Sequence, residues 1–129
     1  AITLDNSDTD LIEKVRIMRE EGIQIVNLGR LNQREVVAAY RRSRALIFPS
    51  LIESFGMPLL EAKIQNIPIL ASELDYVHDV CDPAYTFNAY DHVSISRAVL
   101  RFLGISGRKR PMSSPSEFLE IVFDNESEN

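Results

Sequence analysis

Blocks of apolar residues, separated by polar residues and glycines, follow one another along this chain at spacings that alternate between strand and helix. Apolar runs at 23–28, 45–48 and 67–71 predict strands, and shorter extended candidates lie at 2–4 and 85–87. The run at 45–48 is continuously apolar, which is typical of a central parallel strand covered on both faces. Strands that alternate with helices indicate an α/β fold with a doubly wound, mostly parallel sheet.

Local residue patterns predict where the helices between these strands begin and end. Asn32 and Glu35 have the spacing of a capping box, which predicts a helix that runs to about Ser43. Pro58 suits the first turn of a helix, where its missing N–H has no cost, and this helix is expected to end near Asn66. Further helices are predicted from Leu11 to Gly22, from Tyr76 to Val80 and from His92 to Leu103.

Two segments of different character make up the 129 residues. Residues 1–103 complete the α/β pattern and form one predicted domain, which is long enough for a single core. Residues 104–129 begin with glycine, serine, proline and a basic run, which together predict a connector. An extra amphipathic helix at 118–123 and a frayed acidic end follow. The chain has no initiator methionine and is expected to be a piece of a longer protein.

The charge balance narrows the classes of partner. Fourteen basic against nineteen acidic residues give a net charge of -5. Duplex nucleic acid requires Lys and Arg clustered on one face, so this balance argues against it. The densest basic spot, Arg41, Arg42 and Arg44, lies at a predicted helix end and is expected to complement the helix dipole. We therefore predict no nucleic-acid partner.

A lone cysteine, Cys81, excludes an intramolecular disulfide framework and a cysteine-built zinc site, and it fits a reducing compartment. Nothing in the sequence resembles a signal peptide or an apolar run of membrane-spanning length. His78 and His92 are isolated from each other, so neither is predicted to bind a metal. We expect a cytoplasmic protein.

The stretch from Pro49 to Glu61 combines a strand end, a glycine-containing loop and a helix start, an arrangement that binds anions. Open α/β sheets bind their ligands at the carboxyl ends of the strands, where this stretch is expected to lie. Gly56 has no side chain to hold a ligand away. The N–H groups near Gly56, Met57 and Leu59 are predicted to point at an anion such as a diphosphate.

Two glutamates bracket this turn. Glu61 lies about one turn into the helix, where its carboxylate can accept hydrogen bonds from vicinal hydroxyls, and Glu53 would reach a group on the other side of the phosphates. The plain alternative is that Glu61 is a solvated acid favoured by the helix dipole and that Glu53 is a surface-loop acid. Phe55 and Met57 are expected to be packing residues rather than sugar contacts, as apolar side chains usually are.

Other signatures for phosphate and metal binding do not explain the chain. The sequence contains no G-x-G-x-x-G and no G-x-x-x-x-G-K-[ST]. The strand at 45–48 is followed by Pro49 and Ser50, so it offers no aspartate for a phospho-receiver. The stretch Asp8-Thr9-Asp10 matches a metal-binding D-x-D pattern, but it lies where a helix begins, and helix capping explains it.

The ordered residues around the two glutamates resemble a known family. P-S-x-x-E-S-F-G-M-P-L-L-E-A at 49–62, followed by I-P-I-L-A-S, is similar to the E-x7-E signature of retaining glycosyltransferases of the GT-B type (glycosyltransferase family 4, group 1). N-L-G-R-L at 27–31, the A-x-Y that follows it, and the stretch at 85–88 also resemble segments of that family. The similarity covers about residues 2–103.

The resemblance implies that this chain is the Rossmann-like, C-terminal half of a GT-B fold, which binds the nucleotide-sugar donor. It implies retaining transfer through an oxocarbenium-like state, with Glu53 as the catalytic residue beside the donor sugar. It implies no cofactor and no metal, because the helix N-terminus takes the place of a cation on the leaving diphosphate. The implied binding residues are Ser54, Phe55, Gly56 and Met57 for sugar and diphosphate, Glu61 for the ribose, and Leu28, Gly29 and Arg30 beside the base.

The resemblance also implies partner molecules, and the chain differs from the family at one turn. An acceptor-binding domain would precede this chain, together with an Arg and a Lys that neutralise the diphosphate, and the acceptor would be a saccharide or a lipid-linked molecule. Peripheral membrane association of the longer protein and self-association through the C-terminal helix are further expectations. Asp5-Asn6 replaces the family's glycine-containing turn and places acidic charge near the phosphates.

Two rival functions stay open at this point. One is a GT-B-fold sugar-nucleotide epimerase or phosphorylase, which would form product without transfer to a saccharide or lipid acceptor. The other is a non-catalytic nucleotide- or protein-binding module, and the acidic Asp5-Asn6 turn is the feature that favours it.

Overall fold

The computed structural model of the chain describes residues 1–53 and 55–105, and this part contains three strands and five helices. Ser54 and the predicted helix at 118–123 lie outside the described residues. The strands are β1 (Leu46–Phe48), β2 (Ile69–Ser72) and β3 (Tyr85–Phe87), and the helices are α1 (Thr9–Glu20), α2 (Gln33–Arg42), α3 (Met57–Ile64), α4 (Asp75–Val80) and α5 (His92–Phe102).

The three strands form one parallel sheet in the order β1, β2, β3. The register places Phe48 opposite Ala71, and Ser72 opposite Phe87. Parallel neighbours need a crossover connection, and α3 and α4 supply the two that this sheet requires. All three carboxyl ends therefore meet at one edge of the sheet, which confirms the predicted α/β fold with a parallel sheet.

Strand β2 occupies the centre of the sheet, and all four of its residues are buried. Ile69 and Ala71 pack against side chains of α3 and α4 on one face. Leu70 packs on the opposite face with Phe87 and with Ala98 of α5. Helices thus cover both faces of β2, as a doubly wound sheet requires.

The helices begin and end close to the positions that the sequence predicts. The Asn32 side chain accepts a hydrogen bond from the Glu35 N–H at 3.1 Å, and the Glu35 carboxylate accepts one from the Asn32 N–H at 2.8 Å, which completes the capping box of α2. Pro58 lies in the first turn of α3. Arg41 and Arg42 lie in the last turn of α2, where their charge complements the helix dipole.

The predicted strands at 2–4 and 23–28 are reduced to a single parallel bridge between Ile2 and Asn27. Beyond this bridge the Asn27 side chain takes the place of a main-chain partner, because the Leu4 N–H donates to Asn27 Oδ1 at 2.8 Å. Main-chain pairing therefore stops after one step. The prediction of two full strands is wrong.

Strand β1 lies at the edge of the described sheet, so the prediction that it is central is also wrong. Among the described strands it pairs with β2 alone. Ile47 is 46% exposed because α5 packs against β3, at the far side of the sheet, and leaves this face of β1 uncovered. An apolar run indicates a buried environment, but it carries no information about how many strands lie beside it.

The core belongs to the second part of the chain. No residue in 1–47 is buried, and the first buried residue is Phe48. Helix α1 leaves Leu11, Ile17 and Met18 between 37% and 47% exposed. A cavity of about 530 Å³ lies between α1 and Asn27. The segment before β1 therefore contributes no buried residue to the core.

Candidate functional site

The turn at the start of α3 places backbone donors at the carboxyl edge of the sheet. Gly56 is the N-cap of α3, with φ 57° and ψ 38°, a left-handed conformation that favours glycine. Its carbonyl accepts hydrogen bonds from the N–H groups of Leu59 and Leu60 at 2.9 and 3.2 Å. The prediction that the Leu59 N–H points at an anion is therefore wrong. Within the described part of the chain, the N–H groups of Gly56 and Met57 have no acceptor and remain as the donor pair.

Glu53 is exposed and lies on the loop that leads into this turn. Ser50 Oγ lies 3.1 Å from Glu53 Oε1 and 3.2 Å from the Ile52 carbonyl, and its single proton serves one of them at a time. The Tyr76 hydroxyl of α4 donates to the Ser50 carbonyl at 3.1 Å. These contacts connect the Glu53 loop to α4.

Glu61 lies half-buried on α3, on the other side of the turn from Glu53. The Tyr40 hydroxyl of α2 lies 3.4 Å from Glu61 Oε2 and 3.2 Å from the Pro58 carbonyl. Burial, and then the Glu61 charge, raise the pKa of Tyr40 to about 12. Tyr40 is therefore a neutral hydrogen-bond donor at physiological pH.

The raised pKa of Tyr40 predicts a loss of stability at high pH. The pKa rises from 10.0 to about 12 on folding, so the folded state holds this proton more tightly than the unfolded state does. The contribution is complete below pH 10.0 and is lost as the pH rises towards about 12. Urea unfolding at a series of pH values should show this decline. Tyr40→Phe should flatten it, and an equally steep decline in that variant would contradict the assignment.

A cavity of about 300 Å³ lies beside the segment predicted to flank the base. Gly29, Arg30 and Leu31 line it from one side, and Asp5 and Val36 line it from others. Val36 and Tyr40 lie one turn apart on α2, so this helix spans from the cavity to Glu61. The Asp5 pKa is lowered by hydrogen bonds from the Ser7 backbone and hydroxyl, which makes this wall of the cavity acidic.

The structure brings most of the predicted site residues to one edge of the molecule. Glu53, Gly56 and Glu61 follow β1 closely, and the Gly29 segment lines its own cavity. The Phe55 and Met57 side chains are 82% and 54% exposed in the described part of the chain, which contradicts the prediction that they are packing residues. Leu28 is 41% exposed, and Ser54 lies outside the described residues.

Two tyrosines of this edge were not predicted as site residues. Tyr40 contacts Glu61, and Tyr76 contacts the loop that carries Glu53. Tyr40 belongs to the A-x-Y segment that resembles the family, but no role was predicted for it. Its helical spacing from Val36, which follows the Gly29 segment, is the signal that could have placed it on the same face.

Ser72 is a buried polar group at the carboxyl end of β2. It is 1% exposed, and its hydroxyl has no hydrogen-bond partner among the described residues. The alternation along β2 puts it on the α5 side of the sheet together with Leu70. It lies beneath the edge where the candidate site lies and does not contact Glu53 or Glu61 through a hydrogen bond.

Neither a metal cluster nor a membrane-spanning helix is found in the described residues. Their His, Cys, Asp and Glu side chains form no group of three or more that could hold a metal ion. Each of the five described helices is too short or too polar to cross a bilayer.

The parallel sheet, the helices on both faces and the site at the carboxyl edge define a Rossmann-like α/β domain. The sequence profile described as "Glycosyl transferases group 1" matches residues 10–113. The chain therefore belongs to the group 1 glycosyltransferases. No solved structure matches it.

Two curated relatives are named as mannosyltransferases. The serotype-specific mannosyltransferase WbdA of Escherichia coli is 30% identical over 96 residues, which is 74% of this chain and 12% of the relative. The O-antigen chain mannosyltransferase RfbU of Salmonella typhimurium is 30% identical over 73 residues, 57% of this chain and 18% of the relative. The chain spans less than a fifth of the length of these relatives.

Proposed function

We propose that this chain is the nucleotide-sugar-binding domain of a retaining glycosyltransferase that works with an acceptor-binding domain. The observation that carries the proposal is the left-handed turn at Gly56, whose N–H donors have no acceptor among the described residues and which has Glu53 and Glu61 on either side. Because WbdA and RfbU are named as mannosyltransferases, a nucleoside diphosphate mannose is the first donor to test. A cytoplasmic location and peripheral membrane association stay predictions.

The turn binds the diphosphate of the donor in this proposal. The N–H groups of Gly56 and Met57 and the positive end of the α3 dipole attract its negative charge. That charge increases as the bond between the anomeric carbon and the diphosphate oxygen breaks, so the same donors stabilise the transition state more than the ground state. Residues of this chain thus assist departure of the nucleoside diphosphate.

The two glutamates have separate roles. Glu61 accepts hydrogen bonds from the vicinal hydroxyls of the ribose, which fixes the nucleotide beside the turn. Glu53 lies beside the sugar, where its carboxylate stabilises the positive charge that develops at the anomeric carbon. The acceptor oxygen then forms the new bond on the face that the diphosphate leaves, and the acceptor proton passes to the departing diphosphate. The configuration of the sugar is retained.

In this proposal the base binds in the cavity beside Gly29. The volume of about 300 Å³ is at the lower end for a small-molecule site, and the main chain of Gly29–Leu31 lines it. Helix α2 joins this cavity to Glu61, so base, ribose and diphosphate would follow one another along α2 and the start of α3. This order matches the connectivity of a nucleoside diphosphate.

A non-catalytic nucleotide-binding module is the second candidate, and Asp5 is the observation that favours it. Its carboxylate lines the cavity beside Gly29 and repels a second negative charge nearby. Such a module would bind a nucleoside diphosphate but would neither hydrolyse nor transfer a sugar from any nucleotide sugar. Transfer by the protein at its full encoded length excludes this candidate.

The proposal predicts that Glu61→Ala weakens nucleoside diphosphate binding about 10- to 100-fold, the effect of losing hydrogen bonds to a charged group. Calorimetric titration of the full-length protein with UDP and with GDP measures this change. Glu21→Ala is the matched control, because Glu21 is an exposed acid at the end of α1. Unchanged affinity in Glu61→Ala would remove the role assigned to Glu61.

A further inference from the structure

The Tyr40 side chain makes the main polar contact from α2 to α3. Its hydroxyl lies 3.2 Å from the Pro58 carbonyl and 3.4 Å from Glu61 Oε2. The next residue, Arg41, donates from Nε to Oε1 of Gln65, four residues after Glu61, at 3.4 Å. These are long-range contacts, since 21 residues separate Tyr40 from Glu61 in the sequence.

The Tyr40 hydroxyl has one proton and two candidate acceptors, so the chemistry of the acceptors decides between them. The Pro58 carbonyl lies within α3, where it can accept the helical hydrogen bond from the residue four positions later. The charge of Glu61 acts on Tyr40, and a hydrogen bond to a charged acceptor is stronger than one to a neutral carbonyl. The energetically favoured partner of the Tyr40 proton is therefore Glu61.

A carboxylate on a half-exposed helix face otherwise samples several rotamers, and binding a ligand to one of them costs side-chain entropy. A hydrogen bond from Tyr40 to Oε2 reduces this freedom before the ligand arrives. It leaves Oε1 and the remaining lone pairs of the carboxylate for the vicinal hydroxyls of a ligand. The 3.4 Å separation allows this contact to shorten when the ligand orders Glu61.

We propose that Tyr40 is a positioning residue that orients Glu61 for recognition of the ribose hydroxyls. This inference rests on the proposed function, because it assigns to Tyr40 the selectivity for ribose at the same site. Tyr40 does not touch the reacting atoms. It acts through Glu61, so its loss affects recognition of the ribose and leaves the diphosphate contacts at Gly56 in place.

The test is a comparison of wild type, Tyr40→Phe and Glu61→Gln in the full-length protein. Calorimetry gives the affinities for UDP and GDP, for their 2′-deoxy and 3′-deoxy forms, and for inorganic pyrophosphate. Tyr40→Phe keeps the ring and removes only the hydroxyl. Tyr90→Phe is the matched control, because Tyr90 is 83% exposed and lies in the loop between β3 and α5.

Tyr40→Phe is expected to bind the ribonucleotides about five- to tenfold more weakly, as loss of one long hydrogen bond to Glu61 predicts. Its preference for ribonucleotides over their deoxy forms should shrink by the same factor, and its affinity for pyrophosphate should stay unchanged. Adding Tyr40→Phe to Glu61→Gln should cause little further loss, because the two residues act as one unit.

Two outcomes overturn this inference alone. One is an unchanged ribose preference in Tyr40→Phe, and the other is an equal loss for ribonucleotides, deoxynucleotides and pyrophosphate, which a purely structural role would produce. Failure of the wild type to bind UDP, GDP and pyrophosphate would instead overturn the proposed function, and the inference with it. The results for the wild type therefore separate the two failures.

Discussion

Glu53→Gln is expected to lower the kcat of the complete transferase by about 100- to 1000-fold, the range found when one preorganised electrostatic contact to a transition state is removed. The substitution keeps the shape of the side chain and its contact with Ser50 but removes the negative charge. In the proposed mechanism, that charge is needed only when positive charge develops at the anomeric carbon. Steady-state rates of sugar transfer measure the effect on kcat.

The same variant should bind the nucleoside diphosphate as tightly as the wild type does, because among the described residues the Glu53 carboxylate is hydrogen-bonded to Ser50, whereas Tyr40 contacts Glu61. Glu21→Gln serves as the control for replacing an exposed acid by its amide. A fall in nucleotide affinity that accounts for the whole rate change would show that Glu53 binds the donor instead. A normal kcat would exclude its catalytic role.

Gly56→Ala is expected to lower the free energy of unfolding by about 1–3 kcal/mol and to weaken nucleotide binding at the same time. A side chain at φ 57° is strained, and a Cβ at this position would lie 3.3 Å from Leu59 Cδ1. Leu59 is fully buried, so it has little room to move. The turn would then shift away from the geometry that directs the Gly56 and Met57 N–H groups outward.

Gly104→Ala separates the effect of backbone strain from the effect of the contact with Leu59. Gly104 has a similar φ of 69°, but a Cβ there would meet nothing within 4 Å. It should therefore show the backbone strain alone, without a change in nucleotide binding. Urea unfolding and calorimetry of both variants provide the comparison. If Gly56→Ala were no more costly than Gly104→Ala and bound nucleotide normally, the turn would not be the diphosphate site.

Features with a local cause could be predicted from the sequence, and features that depend on distant partners could not. The Asn32–Glu35 capping box and the Pro58 helix start lie within a few residues, so their signals are complete in a short window. The prediction of a strand at 23–28 was wrong because the Leu4 N–H donates to the Asn27 side chain, 23 residues away, and main-chain pairing with residues 2–4 stops there. No window of sequence contains that information.

The same holds for the candidate site, where residues close in sequence could be predicted and residues brought together by folding could not. Glu53, Gly56 and Glu61 lie within nine residues, so the pattern revealed them together. Tyr76 lies 26 residues from Ser50, the residue it anchors, and its role became visible only in the folded chain. The exposure of Phe55 was missed because average burial of aromatic residues says nothing about a loop at a binding edge.

The absence of buried residues before Phe48 has a consequence for how a nucleotide would be selected. Gly56 and Glu61 are fixed to the packed layers of the sheet, whereas Gly29 and Arg30 belong to the segment that rests on surface contacts. Ribose and diphosphate would therefore bind to a preformed surface. Binding of the base would have to order the segment around Gly29, and the entropy cost of this ordering would reduce the affinity gained from the base. Such a division makes the sugar–phosphate part of the ligand the source of affinity and leaves the choice of base adaptable.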